Sequence, residues 1–89
     1  MNVKKMNDLS EKVVFLTGAA GLLGTQYATA LSSAGANVVL ADINYTKCKK
    51  IEKELKEKNN VLPFSIKMDI SNKKSIDNAI AKVMKKFSK

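Results

Sequence analysis

The strongest constraint in this sequence is a change of rhythm around three glycines. Lys12-Val13-Val14-Phe15-Leu16-Thr17 is a continuous run of mainly apolar β-formers, the texture of a strand buried on both faces. Thr17-Gly18-Ala19-Ala20-Gly21-Leu22-Leu23-Gly24 follows directly. From Leu22 to Ala34 apolar residues then recur at Leu23, Tyr27, Ala30, Leu31 and Ala34 in helical spacing. Gly35 stands where a left-handed residue commonly ends a helix. A chain that passes from strand to helix through such a loop is committed to a tight strand-turn-helix unit.

The rest of the chain repeats that alternation. Asn37-Val38-Val39-Leu40-Ala41-Asp42 reads as a second buried strand, and Thr46 to Lys58 as an amphipathic helix with Cys48, Ile51 and Leu55 on one face. Glu52 with Lys56 and Glu54 with Lys58 are four apart in the favourable order. In the third strand, about Val61 to Asp69, Phe64, Ile66 and Met68 alternate with Ser65 and Lys67, and Pro63 stands near its start. Alternation and proline both predict an edge strand. Ser71 is the expected cap of a last helix striped with Ile76, Ala79, Ile80, Val83, Met84 and Phe87. Strands alternating with helices imply parallel βαβ units with right-handed crossovers. The expected fold is therefore α/β, a partial Rossmann-type parallel sheet: a βαβαβα half-domain over 1–89, with 1–11 a polar lead-in and strand order 3-2-1. The first two helices belong on one face and the third on the other. With no fourth strand, the otherwise central first strand would present a bare edge.

Composition narrows the functional classes. Hydrophobic residues at 45% and charged residues at 27% fit a soluble globular domain. The net charge of +8 comes from sixteen lysines with no arginine and no histidine. Arginine's planar fork is the usual reader of phosphates and guanine edges, and these lysines interleave with glutamate on polar helix faces, so no nucleic-acid partner is expected. The single Cys48 permits no internal disulfide and, without histidine, no metal site. A cytoplasmic protein without a membrane partner fits best. The run Val13 to Leu23 before Ala28-Thr29-Ala30 imitates a secretion signal, but glycines interrupt it. Asn44-Tyr45-Thr46 reads as a chance sequon.

The glycine spacing has a chemical explanation. A turn off the strand needs a residue without a β-carbon, a pyrophosphate must approach bare backbone, and the helix must pack close to the strand. Gly18, Gly21 and Gly24 can supply these in turn. The amides opening the helix lack internal partners and carry the positive end of the helix dipole, so linked phosphates settle there. Asp42, eighteen residues beyond Gly24 at the end of the second strand, is placed to accept from ribose hydroxyls and to repel a 2′-phosphate. NAD is thus favoured over NADP, although Lys47 lies nearby.

These residues resemble a known family. Thr-Gly-x-x-Gly-x-x-Gly at 17 to 24, Leu40-Ala41-Asp42 and Met68-Asp69-Ile70 are similar to the amino-terminal half of the short-chain dehydrogenase/reductase family. The resemblance covers nearly the whole chain. It implies NAD-dependent oxidoreduction of an alcohol or carbonyl, with a sugar as one substrate class. It also implies that Gly18, Gly21 and Gly24 line the pyrophosphate, Asp42 holds the ribose, Asp69 contacts the adenine amino group and Ile70 walls the adenine pocket. The candidate cofactor-binding set is Gly18, Ala20, Gly21, Leu22, Leu23, Gly24, Asp42, Ile43, Asp69 and Ile70. The position of Gly21 before Leu22 is the spacing of the family's extended branch, which includes nucleotide-sugar epimerases and dehydratases, so the branch stays open.

The family's catalytic tyrosine, lysine and serine lie beyond residue 89 in full-length relatives. No catalytic residue is assigned in this chain, and residues 1–89 alone are not expected to turn over substrate. Tyr45 and Lys49 show the Tyr-x-x-x-Lys spacing but sit beside the ribose-binding strand, far from where the hydride leaves, and read as a helix-start aromatic and a surface lysine. The expected whole protein is a homo-oligomer acting on a small-molecule substrate. The alternative from another class is a non-catalytic NAD-binding module.

Overall fold

The computed structural model describes residues 12–59 and 61–87; the lead-in over 1–11 lies outside the described residues. Three strands alternate with three helices: β1 (Val13–Thr17), α1 (Leu22–Ser33), β2 (Asn37–Asp42), α2 (Tyr45–Lys58), β3 (Phe64–Lys67) and α3 (Lys73–Phe87). The sheet is parallel with β2 between β1 and β3. Val13 pairs with Asn37 and Thr17 with Ala41, while Val39 pairs with Phe64 and Asp42 with Lys67. All three strands therefore end at the same edge, where ligands bind open α/β sheets.

Strand side chains alternate between two faces, and each face has its own core. Val38 and Leu40 pack with Ala28 of α1 and with Cys48, Ile51 and Leu55 of α2. Val39 and Ala41 pack with Ile66, Met68 and, from α3, Ala79 and Val83. The first two helices lie on one face and the third on the other, as the crossover rule predicts. Val38 through Ala41 are fully buried, which explains the unbroken apolar texture of β2. Gly35 takes φ +98° just after α1, the left-handed conformation its position implies.

The structure departs from the sequence reading in four places. The buried face of α1 is Gly24, Ala28 and Ser32, whereas Leu23, Tyr27 and Ala30 of the expected stripe are exposed, because the close contact of Gly24 with the Gly18 carbonyl turns that face inward. β1 keeps the bare edge expected of it and is only partly buried, since among the described residues one strand alone flanks it. Val13, Phe15, Ile80, Val83, Met84 and Phe87 line an apolar groove of about 490 Å³ on that side. α2 starts at Tyr45, with the Asn44 side chain accepting from the Lys47 amide at 3.1 Å. The cap of α3 is Asn72, not Ser71: Asn72 Oδ1 accepts from the Ser75 amide at 3.1 Å. Ser71 is occupied with Asp69 instead.

The fourth departure concerns β3, which is shorter than predicted and whose polar face is only half solvated, with Lys67 exposed and Ser65 not. Ser65 is buried, and its amide donates to Glu52 Oε1 of α2 at 2.9 Å. In a parallel strand alternate amides point away from the neighbouring strand, and Glu52 takes up this one. Ser75 Oγ likewise accepts from the Asp69 amide at 2.9 Å. Glu52 of α2 thus blunts the outer edge of β3, one of the ways edge strands avoid adding a further strand, while Ser75 of α3 holds the segment just beyond it.

Candidate functional site

A cleft of about 300 Å³ opens at the carboxyl ends of the strands, lined by Thr17 and Gly18 from the first, Ala41, Asp42 and Ile43 from the second, and Met68, Asp69 and Ile70 from the third. The glycine loop meets it at Thr17 and Gly18 and continues beyond it. Gly18 turns the chain with φ +66°, a left-handed conformation that strains any residue bearing a β-carbon. The Gly21 amide then donates to the Gly18 carbonyl at 3.0 Å, and the Ala19 amide to the Ala41 carbonyl at 3.3 Å, which ties the loop to β2.

Gly24 has a different task. A β-carbon there would overlap the Gly18 carbonyl oxygen and stand 2.9 Å from the Ala19 α-carbon, so only glycine lets α1 start against the loop. At Gly21 an added β-carbon would meet the Gly18 oxygen at 3.3 Å, a milder conflict. Thr25, which the sequence did not single out, fastens the same junction: its hydroxyl lies 2.8 Å from the Gly21 carbonyl and 3.2 Å from that of Ala19.

α1 begins without a side-chain cap at Gly21. The amides of Leu22 and Leu23 belong to the first turn, which has no carbonyl of its own to bond, and both residues are exposed. No acidic side chain occupies that turn, so the partial positive charge of the helix end is open to an anion.

Asp42 stands across the loop. Its Oδ2 accepts from the Ala20 amide at 3.1 Å and its Oδ1 from the Asn44 amide at 2.9 Å. Ala20, itself buried, thereby meets Asp42 through its backbone. A carboxylate offers about four lone-pair sites, so each oxygen keeps capacity for an incoming hydroxyl. Ile43 and Ile70 flank the cleft with exposed apolar side chains, suited to the faces of a flat ring.

Asp69 closes the far wall. Its Oδ1 accepts from the Ser71 amide at 3.0 Å and the Ser71 hydroxyl at 2.6 Å. These bonds, outweighing a small desolvation, hold its carboxyl below the ordinary aspartate range. The ten sequence-predicted residues therefore gather at one end of the sheet, shared between the glycine loop and the ends of β2 and β3.

Tyr45 and Lys49 lie elsewhere. The Lys49 ammonium sits 6.0 Å from the Tyr45 ring centroid and 3.3 Å from Glu52 Oε2, and Lys56 reaches the same oxygen at 3.4 Å. Burial raises the Glu52 carboxyl, but hydrogen bonds from Ser65 and Lys49 outweigh it and hold its pKa below the ordinary value. Cys48 is fully buried beside this group. Desolvation, then the charges of Asp42 and Glu52, push its thiol up to about 11.

A family model described as short chain dehydrogenase matches residues 12–89. A diacetyl reductase, (S)-acetoin forming, from Staphylococcus epidermidis is 38% identical over 76 residues, covering 85% of this chain and 29% of the reductase. The chain spans about a third of the length of the curated relatives it matches. An oxidoreductase of Haemophilus influenza with bound NAD, described as acting on D-mannonate, superposes with a TM-score of 0.86. It is 24% identical, over 97% of this chain and 30% of the other, and shows the fold alone. An alcohol dehydrogenase from the archaeon Thermococcus sibiricus, complexed with 5-hydroxy-NADP, has a TM-score of 0.83 and 30% identity over 85% of this chain and 32% of the other. Nicotinamide cofactors of both phosphorylation states thus occur among proteins of this shape.

Proposed function

We propose that this chain, which belongs to the short-chain dehydrogenase family, supplies the dinucleotide-binding part of an NAD-dependent oxidoreductase acting on a small alcohol or carbonyl compound. One observation carries the reading: the Asp42 carboxylate is held by the Ala20 and Asn44 amides, and α1 starts without a side-chain cap at Gly21, the residue next to Ala20. A diphosphate at the Leu22 and Leu23 amides and a ribose at Asp42 use the two polar features that the loop leaves unspent. Ile43 and Ile70 then cover the faces of the adenine, with Asp69 at its edge.

NAD is the preferred form because Asp42 repels a 2′-phosphate and the chain has no arginine to offset that repulsion. The cofactor supplies hydride exchange. The residues described here bind and orient it, and the groups that move the substrate proton belong to sequence outside this chain. The name of the diacetyl reductase supports a small carbonyl substrate, and a lone unpaired Cys48 suits a reducing cytoplasm. A second reading, an epimerase or dehydratase that returns the hydride to its own substrate, is favoured by the placement of Gly21 before Leu22. It would show turnover without net accumulation of NADH.

Titration of NADH and NADPH, followed by nicotinamide fluorescence, tests the proposal. NADH should bind more tightly, and Asp42→Ala should weaken it about 10-fold or more, the equivalent of one hydrogen bond to a charged group. Tighter NADPH binding, or an Asp42→Ala protein with unchanged affinity, contradicts it.

A further inference from the structure

Asp69 is held at three points by the segment that follows it. Its amide donates to Ser75 Oγ at 2.9 Å, its carbonyl accepts from the Asn72 amide at 3.0 Å, and its Oδ1 takes both the amide and the hydroxyl of Ser71. Oδ2 receives no hydrogen bond among the described residues. Asp69 lines the cleft and Ser71 does not, so whatever Ser71 contributes to a ligand passes through Asp69.

We infer that Ser71 is a positioning residue that selects the purine of the dinucleotide: by saturating Oδ1 it leaves Oδ2 as the one acceptor that Asp69 offers at the cleft. An ionised carboxylate accepts and never donates. It matches the 6-amino group of adenine and opposes the 6-oxo group of hypoxanthine, which places acceptor against acceptor. The same two Ser71 bonds favour the ionised form, and the lowered pKa of Asp69 agrees with this. A site whose polar partner is fixed in place discriminates more sharply than one whose partner can turn away. The inference rests on the cleft being the adenine end of an NAD site.

The experiment compares the Kd values of NAD and nicotinamide hypoxanthine dinucleotide for the protein and its Ser71→Ala, Ser71→Thr and Asp69→Asn variants. It also follows the Asp69 carboxyl titration by carbon NMR. The unaltered protein should prefer NAD by about 10-fold or more, one well-placed hydrogen bond. Ser71→Ala should cut that preference about 3-fold or more and raise the Asp69 pKa, and Ser71→Thr, which keeps the hydroxyl, should restore both. Asp69→Asn gains a donor and should shift the preference toward the hypoxanthine form. If Asp69→Asn removes the preference while Ser71→Ala leaves it intact, Ser71 has no positioning role and the cleft assignment survives. If neither variant changes the preference, Asp69 does not read the base, and the inference falls together with the adenine assignment.

Discussion

Replacing the loop glycines one at a time by alanine separates three physical causes at neighbouring positions. At Gly24 the new methyl would overlap the Gly18 carbonyl oxygen and stand 2.9 Å from the Ala19 α-carbon and 3.0 Å from the Gly18 carbonyl carbon. All three are backbone atoms, so no rotamer change relieves the clash and α1 must back away from the loop. Overpacking costs about 1 to 3 kcal/mol, and a backbone conflict belongs at the top of that range. At Gly18 there is space for the methyl, but φ is +66°, which costs an L-residue about 1 to 2 kcal/mol. At Gly21 a shift of a few tenths of an ångström suffices, and the cost should stay below about 1 kcal/mol. Urea unfolding reads the order directly. With slopes of about 1 to 3 kcal/mol per molar, Gly24→Ala should lower the midpoint by about 1 M or more, Gly18→Ala by less, and Gly21→Ala least. Gly18→Asn should be milder than Gly18→Ala, since asparagine tolerates the left-handed region. A Gly24→Ala protein as stable as the parent, or more stable than Gly21→Ala, would refute the close-packing argument.

The other expectations concern the elements behind the site. Because the folded-state pKa of Glu52 is depressed, its contribution to stability is present above the unfolded carboxylate pKa and is lost as pH falls through the folded value. Urea midpoints between pH 7 and 3 should show this acid loss, and Glu52→Gln should flatten it while costing about 1 to 2 kcal/mol at neutral pH. Cys48, buried with its pKa near 11, should resist thiol reagents at pH 8 and react at the unfolding rate; rapid labelling of native protein would contradict its placement. A polypeptide of residues 1–89 made alone should self-associate through the β1 edge, unpaired among the described residues, and the groove beside it, and sedimentation should show Val13→Lys reducing the association. A strictly monomeric 89-mer would count against that edge being adhesive.

Two features were legible in advance, β2 from its apolar run and the sidedness of the helices from crossover handedness. Gly35 marked the end of α1, but the apolar stripe did not mark its buried face, which is Gly24, Ala28 and Ser32 while Leu23 and Tyr27 are exposed. Side-chain hydrogen bonding was not legible. Ser65 alternates with Phe64 and Ile66, which reads as a solvent-facing position, yet α2 covers it. The signal was present in α2, since Cys48, Ile51, Glu52 and Leu55 follow the spacing of a single face and Glu52 sits on the apolar stripe. Treating Glu52 as half of a surface pair with Lys56 hid its bond to the Ser65 amide. Ser71 and Asn72 are both good caps, and composition cannot choose between them; the choice follows from Asp69, whose carboxylate claims Ser71. At the site, glycine spacing located the loop and Asp42, whereas the tie from the Ala20 amide to Asp42 and the Thr25 fastening depend on chain geometry that spacing does not encode.

Amide NMR of the folded protein during addition of NAD tests the central claim most directly. The Leu22 and Leu23 resonances, together with those of Ala20 and Asn44 that report on Asp42, should shift in a saturable way with a common Kd, while amides in the middle of α3 stay in place. Saturable NAD binding that leaves Leu22 and Leu23 unmoved would show that the start of α1 does not hold the phosphates.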